Sequence, residues 1–229
     1  MSNKKTEQKP DELQNIEQAL SKTEQFIEKN RKKLLIGFAI VVVIAIGIVW
    51  FFKGYLGPKN LEAANKMAVA VRYFERDSFA LALNGDGVNE GFVKIMDNYS
   101  ITEQADLAAY YAGVCEYNLC NFDNAIKYLE DCDIESVNMK PAILTLIGDC
   151  YVSKNDLKSA VKYFEEAGAI KNELTAPRAL NKAAIVYETL GEWTNAEKCY
   201  QTIKDVYFDN PLVLSLEVDK RLERCKMNK

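Results

Sequence analysis

The sequence predicts an all-α protein: a single transmembrane helix, then an α-solenoid of stacked helical hairpins, then a C-terminal capping helix. Three observations point there. An alanine stands four residues before a bulky side chain three times, at Ala125 and Leu129, Ala160 and Phe164, and Ala196 and Tyr200. The alanines are 35 and 36 residues apart, and another small residue (Gly113, Gly148, Ala184) precedes each by twelve. A fixed period of this length marks supersecondary units that bury their apolar faces only by stacking. Second, Leu34 to Phe52 holds 19 residues without a charge. Third, glycine (11) and proline (5), the two helix breakers, are sparse in 229 residues.

Taken from the N-terminus, residues 1–33 read as a cytoplasmic tail with an amphipathic helix. Residues 1–11 are polar, a composition that predicts disorder. From Glu12 to Lys33, Leu13, Ile16, Leu20, Thr23 and Ile27 recur in steps of three and four. Two heptads are too few for a coiled coil, so the helix is expected to lie on the membrane surface or to extend the anchor. A partner-binding helix is the alternative.

Residues 34–52 form the expected transmembrane helix. At ~1.5 Å per residue the run spans ~28 Å, close to the ~30 Å hydrocarbon core. Trp50, Phe51, Phe52 and Tyr55 crowd one end, where aromatic rings favour the interface. The long preceding segment and the lack of a small-x-small site argue for an anchor over a cleaved signal. Lys22, Lys29, Arg31, Lys32 and Lys33 precede the span, against Lys53, Lys59 and Lys66 after it. That asymmetry predicts a cytoplasmic N-terminus, with the repeats on the far side, in a periplasm or an equivalent space.

Residues 53–103 read as a linker and a divergent first helical pair. Gly54, Gly57 and Pro58 are expected to break the helix after the membrane. Leu61 to Phe74 then spaces Leu61, Ala64, Ala68, Val71 and Phe74 along one face. Asn84-Gly85-Asp86-Gly87 reads as a turn, and Gly91 to Tyr99 as a short helix. The turn lacks the acidic first position and closing glutamate of a calcium loop, with Ala82 and Val93 in those places.

Residues 104–229 carry the repeats and the cap. Leu144-x2-Ile147-Gly148-x2-Tyr151 is followed by Ala160-x3-Phe164. Leu180-x2-Ala183-Ala184-x2-Tyr187 is followed by Ala196-x3-Tyr200. Ala109-x2-Ala112-Gly113 is followed by Glu116, where the others have tyrosine, and by Ala125-x3-Leu129. The pattern resembles the tetratricopeptide repeat, so a tetratricopeptide-like solenoid is expected from about Asp106 onward. Turns within pairs fall at Cys120-Asn121, Asn155-Asp156 and Gly191-Glu192. Pro141, Pro177 and Pro211 each stand where a helix can begin. Pro211 is expected to open the capping helix, with Leu214, Val218, Leu222 and Cys225 on one face.

In the tetratricopeptide family the first helix of each pair lines a concave groove. The resemblance implies that Tyr110, Val114, Tyr117 and Asn118, then Thr145, Asp149 and Val152, then Asn181, Ile185 and Glu188 face it. Tyrosine among apolar and amide groups suits an extended peptide or a partner helix. The competing reading is that Tyr110 and Tyr117 pack against the neighbouring unit. One subclass clamps chaperone C-terminal carboxylates with lysine, arginine and asparagine. Tyr110 and Val114 stand where that clamp begins and argue against such a role.

Composition narrows the function further. There is no histidine, which removes the commonest general base and metal ligand. No nucleophile–base pair, phosphate loop or metal cluster stands out, so neither an enzyme nor a cofactor is expected. Net charge is −4, with +2 in residues 1–52 and −6 in the rest. An acidic folded portion opposes nucleic-acid binding. The six cysteines form no C-x-x-C pair and read as small apolar residues of a helical core.

The layout is similar to that of the ancillary subunit family of the bacterial SecYEG translocon. These are periplasmic repeat proteins that work beside a membrane-anchored prolyl isomerase. That likeness implies a chaperone-like scaffold in the inner membrane with protein partners and no small-molecule substrate. A structural adaptor for an envelope or outer-membrane assembly complex is the alternative.

Overall fold

A computed structural model describes residues 10–211, 213 and 216–229, with side chains from Phe26 onward. The row Leu13, Ile16, Leu20 and Thr23 therefore lies outside the described side chains, and residues 1–9 outside the description altogether. Two compact units divide between Gly57 and Pro58. Among the described residues the architecture is helical, and the β-pairing is one isolated bridge between Gly85 and Glu90.

The first unit is α1 (Pro10–Trp50) followed by a π-helical turn, Phe51–Leu56. This stretch holds the one candidate membrane span among the described residues. It reaches a mean hydropathy of 3.0, with none of that stretch buried in the protein. Ile36, Phe38, Val43 and Trp50 are all well exposed, as the side chains of a membrane span would be. Phe51 meets Phe52 edge-on at 5.6 Å and lies 5.8 Å from Tyr55.

The helix break expected at Gly54, Gly57 and Pro58 does not occur, because a wider turn replaces it. The Gly57 N–H donates to the Phe52 carbonyl, five residues back. α2 (Gly57–Phe74) begins there. Pro58 thus falls in a first turn, where its missing N–H costs nothing.

In the second unit α2 is joined by α3 (Phe79–Asn84) and α4 (Phe92–Asn98). The buried face of α2 is Ala63, Met67 and Ala70, while Leu61 and Ala68 are exposed. The expected face is therefore rotated by about one residue, with Val71 and Phe74 at its margin. The loop from Asn84 to Gly91 is fixed by Asp86. Its carboxylate accepts from the Asn89 N–H at 2.6 Å, the Tyr73 hydroxyl at 2.7 Å, Asn89 Nδ2 at 2.8 Å and the Val88 N–H at 2.9 Å. The Asn89 amide, then the Tyr73 hydroxyl, hold that carboxyl well below its usual range.

Three hairpins follow: α5 (Glu103–Asn118) with α6 (Phe122–Glu130), α7 (Lys140–Ser153) with α8 (Leu157–Ala169), and α9 (Ala176–Thr189) with α10 (Trp193–Val206). Each helix packs on the next in sequence, as in a tetratricopeptide-like solenoid. The reason is visible at the small residues. A Cβ on Gly113 would sit 2.5 Å from Leu129 Cγ, and one on Gly148 2.5 Å from the Phe164 ring. Ala125, Ala160, Ala184 and Ala196 are fully buried. Helix axes approach closely only where such side chains meet, and the large partner fills the space left.

The turns within pairs repeat in backbone as well. Cys120 (φ 61°), Asn155 (φ 60°) and Gly191 (φ 74°) are all left-handed and end the first helix at the same phase. Pro141 and Pro177 are buried in the first turns of α7 and α9.

α11 (Val218–Met227) caps the array, burying Val218, Leu222 and Cys225. It does not run on from Pro211. Glu217 is left-handed at φ 51°, which no α-helix can pass through, and Leu214 lies outside the described residues.

Candidate functional site

The first helices α5, α7 and α9 lie side by side, each touching the next. Their small residues turn inward against the second helices, which leaves a row of larger side chains on the opposite side. Tyr110, Val114, Tyr117, Thr145, Asp149, Asn181 and Glu188 are half-buried there, and Asn118, Val152 and Ile185 are exposed. Helical spacing sets the ten residues named from sequence in one stripe on each helix, while Glu188 reaches Tyr200 of the second helix α10 and Tyr117 meets Phe122 of α6.

They differ in what they touch. Tyr110 and Tyr117 rest on the cluster of Ala109, Ala125, Ile126, Leu129, Ile143 and Ile147, so both tyrosines also join neighbouring units. Burial raises both hydroxyls above the ordinary tyrosine pKa, and the charge of Asp149 adds to this at Tyr117. Asn118 and Thr145 satisfy themselves locally, donating to the carbonyls of Val114 at 2.8 Å and Pro141 at 2.7 Å.

Glu188 is committed elsewhere. It accepts from the Tyr200 hydroxyl at 2.9 Å and pairs with Arg224 of α11 at 3.3 Å. Its side chain is only 8% exposed, which leaves little of it for a ligand.

Lys182 belongs to the site and was not among the residues named from sequence. Its Nζ bonds both carboxylate oxygens of Asp149 at 2.6 Å and lies 5.7 Å from the centre of the Phe164 ring. Opposite charges 33 residues apart, close to the repeat length, are the signal that points to it. Asp149 and Lys182 therefore link α7 and α9 across the face. An ion pair this exposed contributes about 0–1 kcal/mol, so it orients side chains more than it stabilises the fold.

Asn181 stands out by what it lacks. Its Oδ1 is buried and has no hydrogen-bond partner among the described residues. An unpaired buried acceptor costs about 1–3 kcal/mol, and an atom enclosed this way is closed to a ligand in this arrangement.

No reactive constellation accompanies these groups. Among the described residues no three His, Cys, Asp or Glu side chains gather as a metal site would need. All six cysteines are free, and five are buried. Burial pushes the thiols of Cys115 and Cys199 up to about 12, and those of Cys132 and Cys150 up to about 11. They stay protonated at neutral pH and are poor nucleophiles. What the face offers chemically is apolar contact, tyrosine edges and one ion pair.

Residues 141–172, covering α7 and α8, match the tetratricopeptide repeat family. A search of curated proteins finds no match to the chain. The matched hairpin is the one with the most complete repeat pattern, and it carries Thr145, Asp149 and Val152. Tetratricopeptide repeats are typically non-enzymatic protein-binding units, so protein partners are the coarse functional conclusion.

Proposed function

We propose that the chain is a membrane-anchored protein-binding scaffold, periplasmic and chaperone-like, acting beside the protein-export machinery of a bacterial inner membrane. Residues 34–52 anchor it, with residues 1–33 cytoplasmic and the repeats outside. The row from Tyr110 to Ile185 on α5, α7 and α9 forms a groove for an extended peptide or a partner helix. The observation that carries this reading is a row that presents Tyr110 and Tyr117, half-buried between units. Val152 and Ile185 on the same row supply exposed apolar contact. The flanking lysine asymmetry supports the topology.

A photo-crosslinking residue at Val152 or Ile185 of the full chain, activated in native membranes, tests the reading. Crosslinks to translocon subunits and a membrane-anchored prolyl isomerase are expected. Crosslinks to cell-wall or outer-membrane assembly proteins instead would replace the export role with that of an envelope adaptor. Topology is tested separately by labelling the exposed Cys120 with a membrane-impermeant maleimide. Labelling of intact spheroplasts is expected, and labelling only after lysis would reverse the orientation.

A further inference from the structure

A second surface runs along the connections between hairpins. Val137 lies between α6 and α7, Leu174 between α8 and α9, and Phe208 after α10. They recur 37 and 34 residues apart, and Ile101, before α5, falls 36 residues ahead of Val137. All four are exposed, at 52%, 58%, 60% and 75% in chain order. Single exposed apolar residues are ordinary, but one large apolar side chain exposed in each of four successive connections, within a residue or two of the repeat phase, is not.

Side-chain amides tie successive loops together. Asn172 Nδ2 donates to the Val137 carbonyl at 3.3 Å and to Asn138 Oδ1 at 3.0 Å. Asn210 Nδ2 donates to the Glu173 carbonyl in the preceding loop. The three later apolar residues therefore stand on loops held in register. Neighbouring helices pack roughly 8–10 Å apart, so the apolar points are spaced like every seventh residue of a helix.

The charge around this edge has one predominant sign. In the connections themselves Asp131, Asp133, Glu135, Glu173 and Asp209 are exposed against one exposed lysine, Lys171, while the flanking helix ends carry Lys94, Asp97, Lys140, Arg178, Lys204 and Asp205. Lys140 is itself paired with Glu135 at 2.6 Å. An acidic rim repels an anionic lipid surface and favours a cationic partner.

We infer that this loop edge is a docking surface for a basic amphipathic protein segment. The segment would set apolar side chains on Val137, Leu174 and Phe208 and its lysines or arginines against the carboxylates. This surface is formed by the loops rather than by the row on α5, α7 and α9, and the inference does not rest on the groove reading.

The test uses the full chain in phosphatidylcholine nanodiscs. The probe is a fluorescein-labelled 21-residue amphipathic peptide of leucine and lysine, with a leucine–glutamate peptide as its counterpart. Anisotropy should report binding of the lysine peptide that weakens as salt rises, and little binding of the glutamate peptide. The triple variant Val137→Ser, Leu174→Ser, Phe208→Ser should weaken it at least about tenfold, as truncated anchors do. The control Val88→Ser, an exposed apolar residue outside these loops and the helix row, should leave it unchanged, and circular dichroism should stay helical in all. Hydrogen exchange should slow in residues 131–140 and 170–176 when the lysine peptide binds. Binding unaffected by the triple variant, or equal binding of the glutamate peptide, overturns the inference. So does protection of those loops by added phosphatidylglycerol in place of peptide, which would assign the edge to a lipid surface.

Discussion

The Tyr200 hydroxyl, fully buried in α10, donates to Glu188 Oε1 of α9 at 2.9 Å. α11 closes over that pair. Arg221 Nη1 donates to the same hydroxyl oxygen at 3.1 Å, and Arg224 reaches Glu188 while lying over the Trp193 ring. One tyrosine thus joins the last hairpin to its cap. Tyr200→Phe keeps the ring but leaves Glu188 and Arg221 short of a partner. It should cost about 1–3 kcal/mol in urea unfolding. Hydrogen exchange in Val218–Met227 should accelerate, and a cap that stays protected would show that apolar contact alone holds it.

The second unit contains its own core clusters, from Ala63 and Phe92 through to Leu222 and Cys225. Residues 58–229 should therefore fold without the anchor. Far-ultraviolet circular dichroism should show helical minima, and a coil spectrum would contradict the division.

Ala160 is fully buried where α8 meets its neighbours. Ala160→Leu adds three carbons to a filled seam and should destabilise residues 58–229 by ~1–3 kcal/mol. An unchanged urea midpoint would mean the seam has room.

Cys120 adopts φ 61° where the later hairpins have Asn155 and Gly191. A left-handed conformation disfavours most side chains, and Cys120 is exposed, so it loses little packing when replaced. Cys120→Gly should raise stability by about 0.5 kcal/mol, the strain relieved exceeding the entropy that glycine adds to the unfolded chain. A lower midpoint would show that the thiol contributes in some other way.

Alkaline pH should weaken the fold. The buried thiols of Cys115, Cys132, Cys150 and Cys199 are raised from 9.0 to about 11–12. Between those values the unfolded chain has lost protons that the folded chain keeps. Stability is therefore full below about pH 9 and falls as pH rises towards 12, by up to about 1.4 kcal/mol per pH unit for each thiol. Raised tyrosines such as Tyr187 act in the same direction. Urea midpoints measured at pH 8, 9.5 and 10.5 should decline, and the decline should flatten in a Cys115→Ala, Cys150→Ala, Cys199→Ala variant.

The hairpins were legible because packing a small residue against a large one leaves both at fixed spacing, as Gly148 and Phe164 show. The divergent first part was less so. α3 has six residues, too short for a 3.6-residue period to declare itself, and the face of α2 is built from Ala63 and Ala70, which hydropathy scarcely separates from Ala64 and Ala68. Backbone geometry was also hidden. Nothing in Glu217 as a residue type announces a left-handed φ, and a π turn leaves no distinct pattern in Phe51–Leu56. In the site, side chains were placed on a common face by periodicity. Their bonds were not, since the Asp149–Lys182 pair and the capture of Glu188 by Arg224 depend on how one unit rotates against the next.

The seams also differ in size along the array. Gly113 faces Leu129, Gly148 faces Phe164, and Ala184 shares its cluster with Tyr200. A second helix moved onto another hairpin's first helix would bring a ring where only an isobutyl group fits, or leave a void where a phenol belongs. Each first helix is thereby matched to its own second helix, so exchanging second helices between hairpins should fail even where lengths and loops are preserved.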